Sequence, residues 1–204
     1  MESRREALRD LSRILVQKCK KALSELEAER ASAFTPLNCF DLWSDLGRLK
    51  LEKWSELLTS HEVEELEIAI RTLDDRLRIL LEGKREEILA CLNVGISKAL
   101  SNVKLASDKV ETLLTMGKLS ELLPSIEINA DLLYWRDSVG YAVFLIRTQG
   151  LNLTPELSET IGSVDMELKE LLPKMVRSYR ETDDDPTPYP EYFPKSFWWR
   201  QGPW

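Results

Sequence analysis

Apolar residues recur every third or fourth position along most of this chain, and packed α-helices are the main way to bury such a pattern. Strict polar–apolar alternation, the mark of a half-buried strand, is absent. Leu8, Leu11, Leu15, Cys19, Ala22 and Leu26 define one face of a first helix, expected from about Ser3 to about Ala33. The pattern breaks at Thr35-Pro36, because proline disfavours a helical residue before it. Asn38 is the expected cap of a second helix, with Asp41 favourable near its positive end. That helix carries Leu42, Trp43, Leu46, Leu49, Trp54 and Leu57. Thr59-x-x-Glu62 reads as a capping box opening a third helix. Val63, Leu66, Ile70, Leu73, Leu77 and Leu80 follow at heptad spacing, a narrow seam of the coiled-coil kind. Gly83 either ends that helix or sits inside a longer one. Ile88, Leu92, Ile96, Ala99, Val103, Val110 and Leu113 then continue a stripe as far as Gly117.

The segment from about Glu127 to Thr148 differs from the rest. Leu132, Leu133, Tyr134, Trp135, Val139, Tyr141, Val143, Phe144, Leu145 and Ile146 leave it little polar face. A helix apolar nearly all round is either central or part of a subunit interface. Gly150 is its expected stop. Thr154-Pro155 opens the last helix, an N-cap followed by proline at the first helical position. Leu157, Ile161, Val164, Leu168, Leu171 and Met175 run along it, and Pro173 is expected to kink or shorten its end. The predicted fold is therefore all-α, a bundle of five to seven helices over residues 1–180, with Leu132–Ile146 near its centre.

Residues 181–204 are of another kind. Asp183, Asp184 and Asp185 lead into Pro186, Pro188, Pro190, Pro194 and Pro203, interleaved with Tyr189, Tyr192, Phe193, Phe197, Trp198, Trp199 and Trp204. Prolines at this density prevent a helix and favour extended backbone. Burying one large aromatic contributes about 1.5–3 kcal/mol, so seven left in water invite aggregation. The tail reads as an ordered arm with two alternative uses. It clasps its own bundle, or it docks into a partner or a second copy, and the two coexist if arms are exchanged.

Composition removes several function classes. The chain has 204 residues and a formal net charge of -7, with one histidine, three cysteines and eight glycines. It contains no GxSxG, GxxxxGK[ST] or GxGxxG motif. Cys19, Cys39 and Cys91 are too few and too scattered for an extracellular disulfide scaffold; Cys19 and Cys91 fall within helical patterns and read as buried thiols. The charged N-terminus shows no signal-peptide core, and the longest apolar run, Val139–Ile146, is far short of a membrane span. The expectation is a cytoplasmic protein without membrane contact.

Three weaker patterns carry chemistry. Arg4, Arg5, Arg9 and Arg13, with Lys18, Lys20 and Lys21, make the first helix locally basic, which suits phosphate contact with a nucleic acid, against an acidic chain overall. Glu62, Glu64, Glu65 and Glu67 crowd one helix start. With Glu86 and Glu87 they are the material for an all-α magnesium-dependent enzyme, and equally acids placed to suit the helix dipole. His61 lies at the same helix start, without a visible proton-transfer partner. No cofactor and no metal site is expected from these patterns.

Three stretches in order, Thr35-Pro-Leu-Asn-Cys-Phe-Asp-Leu-Trp43, Leu73-Asp-Asp-Arg-Leu-Arg-Ile79 and Lys84-Arg-Glu-Glu-Ile-Leu-Ala90, resemble the helical domain of GINS replication-complex subunits. The similarity covers under half the chain, and the family's small β domain has no counterpart. What the resemblance implies is a scaffold assembled with other subunits, without catalysis of its own. The residues themselves lead to a related expectation: a non-catalytic interaction or scaffold subunit acting through helix faces and the arm. Its partner-binding residues would be Tyr189, Tyr192, Phe193, Phe197, Trp198, Trp199 and Trp204, toward a protein partner or a second copy.

Overall fold

The computed structural model describes residues 2–28, 35–52, 54, 58–117, 126–180 and 197–200. Among the described residues the architecture is all-α, with five helices, one 3-10 turn and no strand. The helices are α1 (Glu2–Glu27), α2 (Pro36–Leu51), α3 (Ser60–Thr115), α4 (Ile126–Thr148) and α5 (Pro155–Arg180), and the turn is Trp198–Arg200.

Helix ends follow local chemistry. Thr35 caps α2, where Asn38 was expected. Thr35 is extended, its hydroxyl oxygen accepts the Asn38 N–H at 3.2 Å, and Pro36 fills the first helical position, where a missing N–H costs nothing. The capping box opening α3 is formed. The Thr59 N–H donates to Glu62 Oε2 at 3.0 Å, and the Glu62 N–H donates to Thr59 Oγ1 at 3.4 Å. The Leu157 N–H donates to Thr154 Oγ1 at 3.3 Å at the start of α5. α4 ends in a Schellman motif. The Leu151 N–H donates to the Ile146 carbonyl, the Gly150 N–H donates to the Arg147 carbonyl, and Gly150 takes the left-handed φ of +65° that glycine adopts without strain.

Gly83 takes the second of its two expected places, and Pro173 does not shorten its helix. Gly83 lies inside α3, and the helical path is interrupted one residue later, at Lys84 (φ -135°, ψ 27°). α5 continues through Pro173 to Arg180. Proline there removes one ladder hydrogen bond, but buried Leu171, Leu172 and Met175 hold the turns around it.

The described residues fall into two compact units. One is drawn from Met1–Ile96 and Gly140–Leu153, the other from Ser97–Val139 and Thr154–Trp204. The core of the first contains Leu23 and Leu26 of α1, Phe40, Trp43, Leu46 and Leu49 of α2, Leu73, Leu77, Ile88 and Leu92 of α3, and Leu145 and Ile146 of α4. Leu66, Leu73, Leu77 and Leu80 of the heptad seam are buried, while Val63 and Ile70 are half-buried. The Trp43 indole N–H is buried and meets no acceptor among the described residues, a local cost of about 1–3 kcal/mol. Cys19 and Cys39 are buried, whereas Cys91, expected to be buried, is half-buried.

Two glycines let helices of this unit touch backbone to backbone. A Cβ on Gly47 would collide with the Tyr141 carbonyl oxygen and lie 2.7 Å from its carbon. A Cβ on Gly95 would collide with the Pro36 carbonyl oxygen and lie 2.7 Å from Phe40 Cβ. Polar groups tie the same helices together. Tyr141 Oη and Arg48 Nε donate to Glu52 Oε1 at 2.6 and 2.7 Å. Lys50 Nζ and Gln149 Nε2 donate to Asp74 Oδ1 at 2.7 and 2.6 Å.

Half-buried Asp45 in this unit makes stability depend on pH. Burial pushes the Asp45 carboxyl up to about 6; Lys18 and Arg48 oppose the rise and Asp41 adds to it. The folded chain therefore keeps a proton that the unfolded chain gives up near 3.8, and this carboxyl's contribution to stability falls as pH rises from about 4 to about 6. Asp45→Asn should remove Asp45's share of that slope; Asp41, also raised by desolvation, keeps its own. In urea titrations the variant gains on the wild type at pH 7 but not at pH 4, and an equal difference at both would count against the assignment.

The second unit has a core of Leu100, Val103 and Val110 from α3, Leu132, Leu133 and Val139 from α4, and Leu157, Val164, Leu168 and Leu171 from α5. Phe197 and Trp199 are buried with them. By length and composition alone, α3 holds an eighteen-residue window apolar enough to cross a membrane, a signal the short run Val139–Ile146 did not carry; helices packed in a protein core meet the same criterion.

Candidate functional site

Arg136 and Asp137 interrupt the most apolar helix of the chain, and both are buried, at 5% and 7% exposure. Charges enclosed in an apolar surface need partners, and the second unit supplies them from two directions. α5 presents Asp165, to which Arg136 donates twice, from Nε to Oδ1 at 2.7 Å and from Nη2 to Oδ2 at 2.9 Å. This fork-to-fork pairing fixes the guanidinium plane as well as its charge. Asp137 accepts a buried hydrogen bond of 2.8 Å from the indole Nε1 of Trp199.

The fixed guanidinium then serves as one wall of an aromatic seat. Arg136 Cζ lies 3.7 Å from the centre of the Trp199 ring, well within cation–π range. Phe197 stacks on Trp199 with centroids 4.7 Å apart and planes 28° apart. Trp198 meets Trp199 edge-on at 5.8 Å, and Lys169 Nζ lies 5.1 Å from the Trp198 ring. Asp165 and Lys169 are one turn apart on α5, so the acid orients Arg136 while the base reaches the neighbouring indole. The seat thus reads an aromatic segment by three chemically distinct features: a carboxylate for the indole N–H, a cation on its face and a second ring beside it.

Phe197 and Trp199 are 2% and 4% exposed and are spent on the chain's own second unit, while Trp198 is half-buried. Trp198–Arg200 forms a 3-10 turn, not the extended backbone expected of the tail; no proline lies between Pro194 and Pro203 to keep it extended. Tyr189, Tyr192, Phe193 and Trp204 lie outside the described residues.

The candidate nucleic-acid residues divide. The Arg9 side chain lies against the Glu62 carboxylate, Arg13 is exposed, and the side chains of Arg4 and Arg5 lie outside those described. The Thr59 backbone N–H and then its hydroxyl hold the Glu62 carboxyl below its ordinary range, with smaller contributions from Arg9 and Arg13. Glu62 is therefore occupied at the helix start. Glu64, Glu65, Glu67, Glu86 and Glu87 are exposed, and His61, also exposed, lies 3.7 Å from Glu65. Among the described residues no three or more His, Cys, Asp or Glu side chains are grouped to hold a metal ion.

Arg136, Asp137, Asp165 and Lys169 belong to no motif in the sequence. The available signal was the adjacent charge pair Arg136-Asp137 within an apolar helix, which requires buried partners from elsewhere in the chain. A scan against family models, a search of curated proteins and a search of solved structures each found no match to this chain.

Proposed function

We propose that the chain is a non-catalytic interaction or scaffold subunit, working through helix faces and its aromatic arm toward a protein partner or a second copy. The observation that carries this reading is the anchored arm. Phe197 and Trp199 are held by the Arg136–Asp165 ion pair and an indole–carboxylate hydrogen bond, which places half-buried Trp198 and Lys169 together at the edge of the seat. An aromatic paired with a cation at the border of a rigid anchor is the kind of group that dominates protein interfaces. Apolar side chains on α3 add to it in the first unit. Ile68 and Ile79, 53% and 68% exposed, stand three turns apart on one face. Nucleic-acid contact and magnesium chemistry lack comparable support: Arg9 and Glu62 are engaged with each other, and among the described residues no three acids are grouped to hold a metal ion.

The test is sedimentation velocity across a concentration series, on the full chain and on a chain ending at Arg180, with circular dichroism on both. The expected result is concentration-dependent association of the full chain that is lost on truncation while helical signal remains. Association unchanged by truncation sinks the arm's part in it. A loss of stability alone reduces the arm to a clasp.

A further inference from the structure

Within the first unit, the contact of α2 with α3 sets two thiols side by side. At Gly95 the helix backbones meet with no side chain between them, since a Cβ there would collide with the Pro36 carbonyl and lie 2.7 Å from Phe40 Cβ. Such a contact draws helix axes below the roughly 8–10 Å usual for packed helices. Cys39 lies within one turn of Pro36 on α2, and Cys91 lies one turn from Gly95 on α3. The two side chains are joined by a hydrogen bond. Cys39 is fully enclosed and Cys91 is half-buried, so reagents in solution reach Cys91 first. Burial, and then the neighbouring Cys91, hold the Cys39 thiol up at about 12. Cys19 is not part of the pair; the charged groups acting on it are Asp45 and Lys18, not a thiol.

We propose that Cys39 and Cys91 form a site of reversible oxidation, closing an intramolecular disulfide by exchange with a low-molecular-weight disulfide. In the first step Cys91 loses its proton to solvent and its sulfur attacks the small disulfide, breaking that S–S bond and releasing one thiolate, which takes up a proton. In the second, Cys39 loses its proton and attacks the Cys91 sulfur of the mixed disulfide, expelling the other small thiol. Two protein thiols are oxidised and one small disulfide is reduced to two thiols. The bond joins α2 to α3 and closes the chain between them into a loop, which restricts the unfolded state.

The full-length chain is incubated with glutathione disulfide at about pH 8 under native conditions, quenched with acid and weighed intact, followed by non-reducing peptide mapping. The wild type is expected to lose the mass of two hydrogen atoms, yield a Cys39–Cys91 linked peptide, and melt at a higher temperature than its reduced form. Cys39→Ser is expected to stop at the mixed disulfide, gaining one glutathionyl group on Cys91, and Cys91→Ser is expected to stay unmodified. Circular dichroism checks that each protein is folded. A folded wild type that stays reduced, holds the glutathionyl group on Cys91, or links through Cys19 overturns the proposal.

Discussion

Trp199→Ala is expected to release the C-terminal segment from α4 and α5 and to lower unfolding stability by about 3–5 kcal/mol, the range for truncating a buried large aromatic. Several losses combine. The ring removed is 4% exposed, it stacks on Phe197, and it covers the Arg136 guanidinium. Its N–H is also a donor to buried Asp137, and a carboxylate left without that donor carries its own desolvation penalty. Trp199→Phe separates these contributions. It keeps an aromatic ring beside Phe197 and Arg136 but deletes the N–H, and its expected cost is about 1–3 kcal/mol. Urea titrations followed by circular dichroism give both numbers. A loss below about 1 kcal/mol for the alanine variant would mean that the segment is not coupled to the fold of its unit.

Gly47→Ala is expected to be at least as damaging, although it adds a single methyl group. Overpacking a core commonly costs about 1–3 kcal/mol, and more where the obstacle cannot move aside. Here the obstacle is the Tyr141 carbonyl, part of the α4 backbone, so α2 and α4 must separate. Separation would also strain the Tyr141–Glu52 hydrogen bond. Gly162→Ala is the matched control. Nothing lies within 4 Å of the added atom there, and Gly162 is inside α5, so alanine should gain about 0.5–1 kcal/mol. Thermal melts of the two variants should shift in opposite directions; two shifts of the same sign would contradict the close approach.

What the sequence made legible was local. The box at Thr59 and Glu62, the Thr154-Pro155 start and the Gly150 stop are each written within a few residues, and each forms as read. Errors arose where two signals competed for one site, as when Thr35 took the cap expected of Asn38 because Pro36 follows it. Packing outweighed propensity at Pro173, where the helix is not shortened. Partnerships at long range were not legible. Arg136 meets Asp165 29 residues away and Asp137 meets Trp199 62 residues away. The periodicity identifies buried faces without saying which face meets which. The functions of Gly47 and Gly95 depend on backbone contributed by another helix, so neither glycine announces its role.

The division of the first unit into two stretches has a consequence for how the protein is made. Glu52 waits for Tyr141, 89 residues later, and Asp74 waits for Gln149, 75 residues later. At synthesis rates of about 5–20 residues per second, those partners follow by about 4–18 seconds. During that interval α2 is complete while the surface that receives Tyr141 is still open. The ribosome or a chaperone must cover that surface, or water must. A stall in translation between Ile96 and Gly140 would prolong this exposure, making the timing of elongation a determinant of yield.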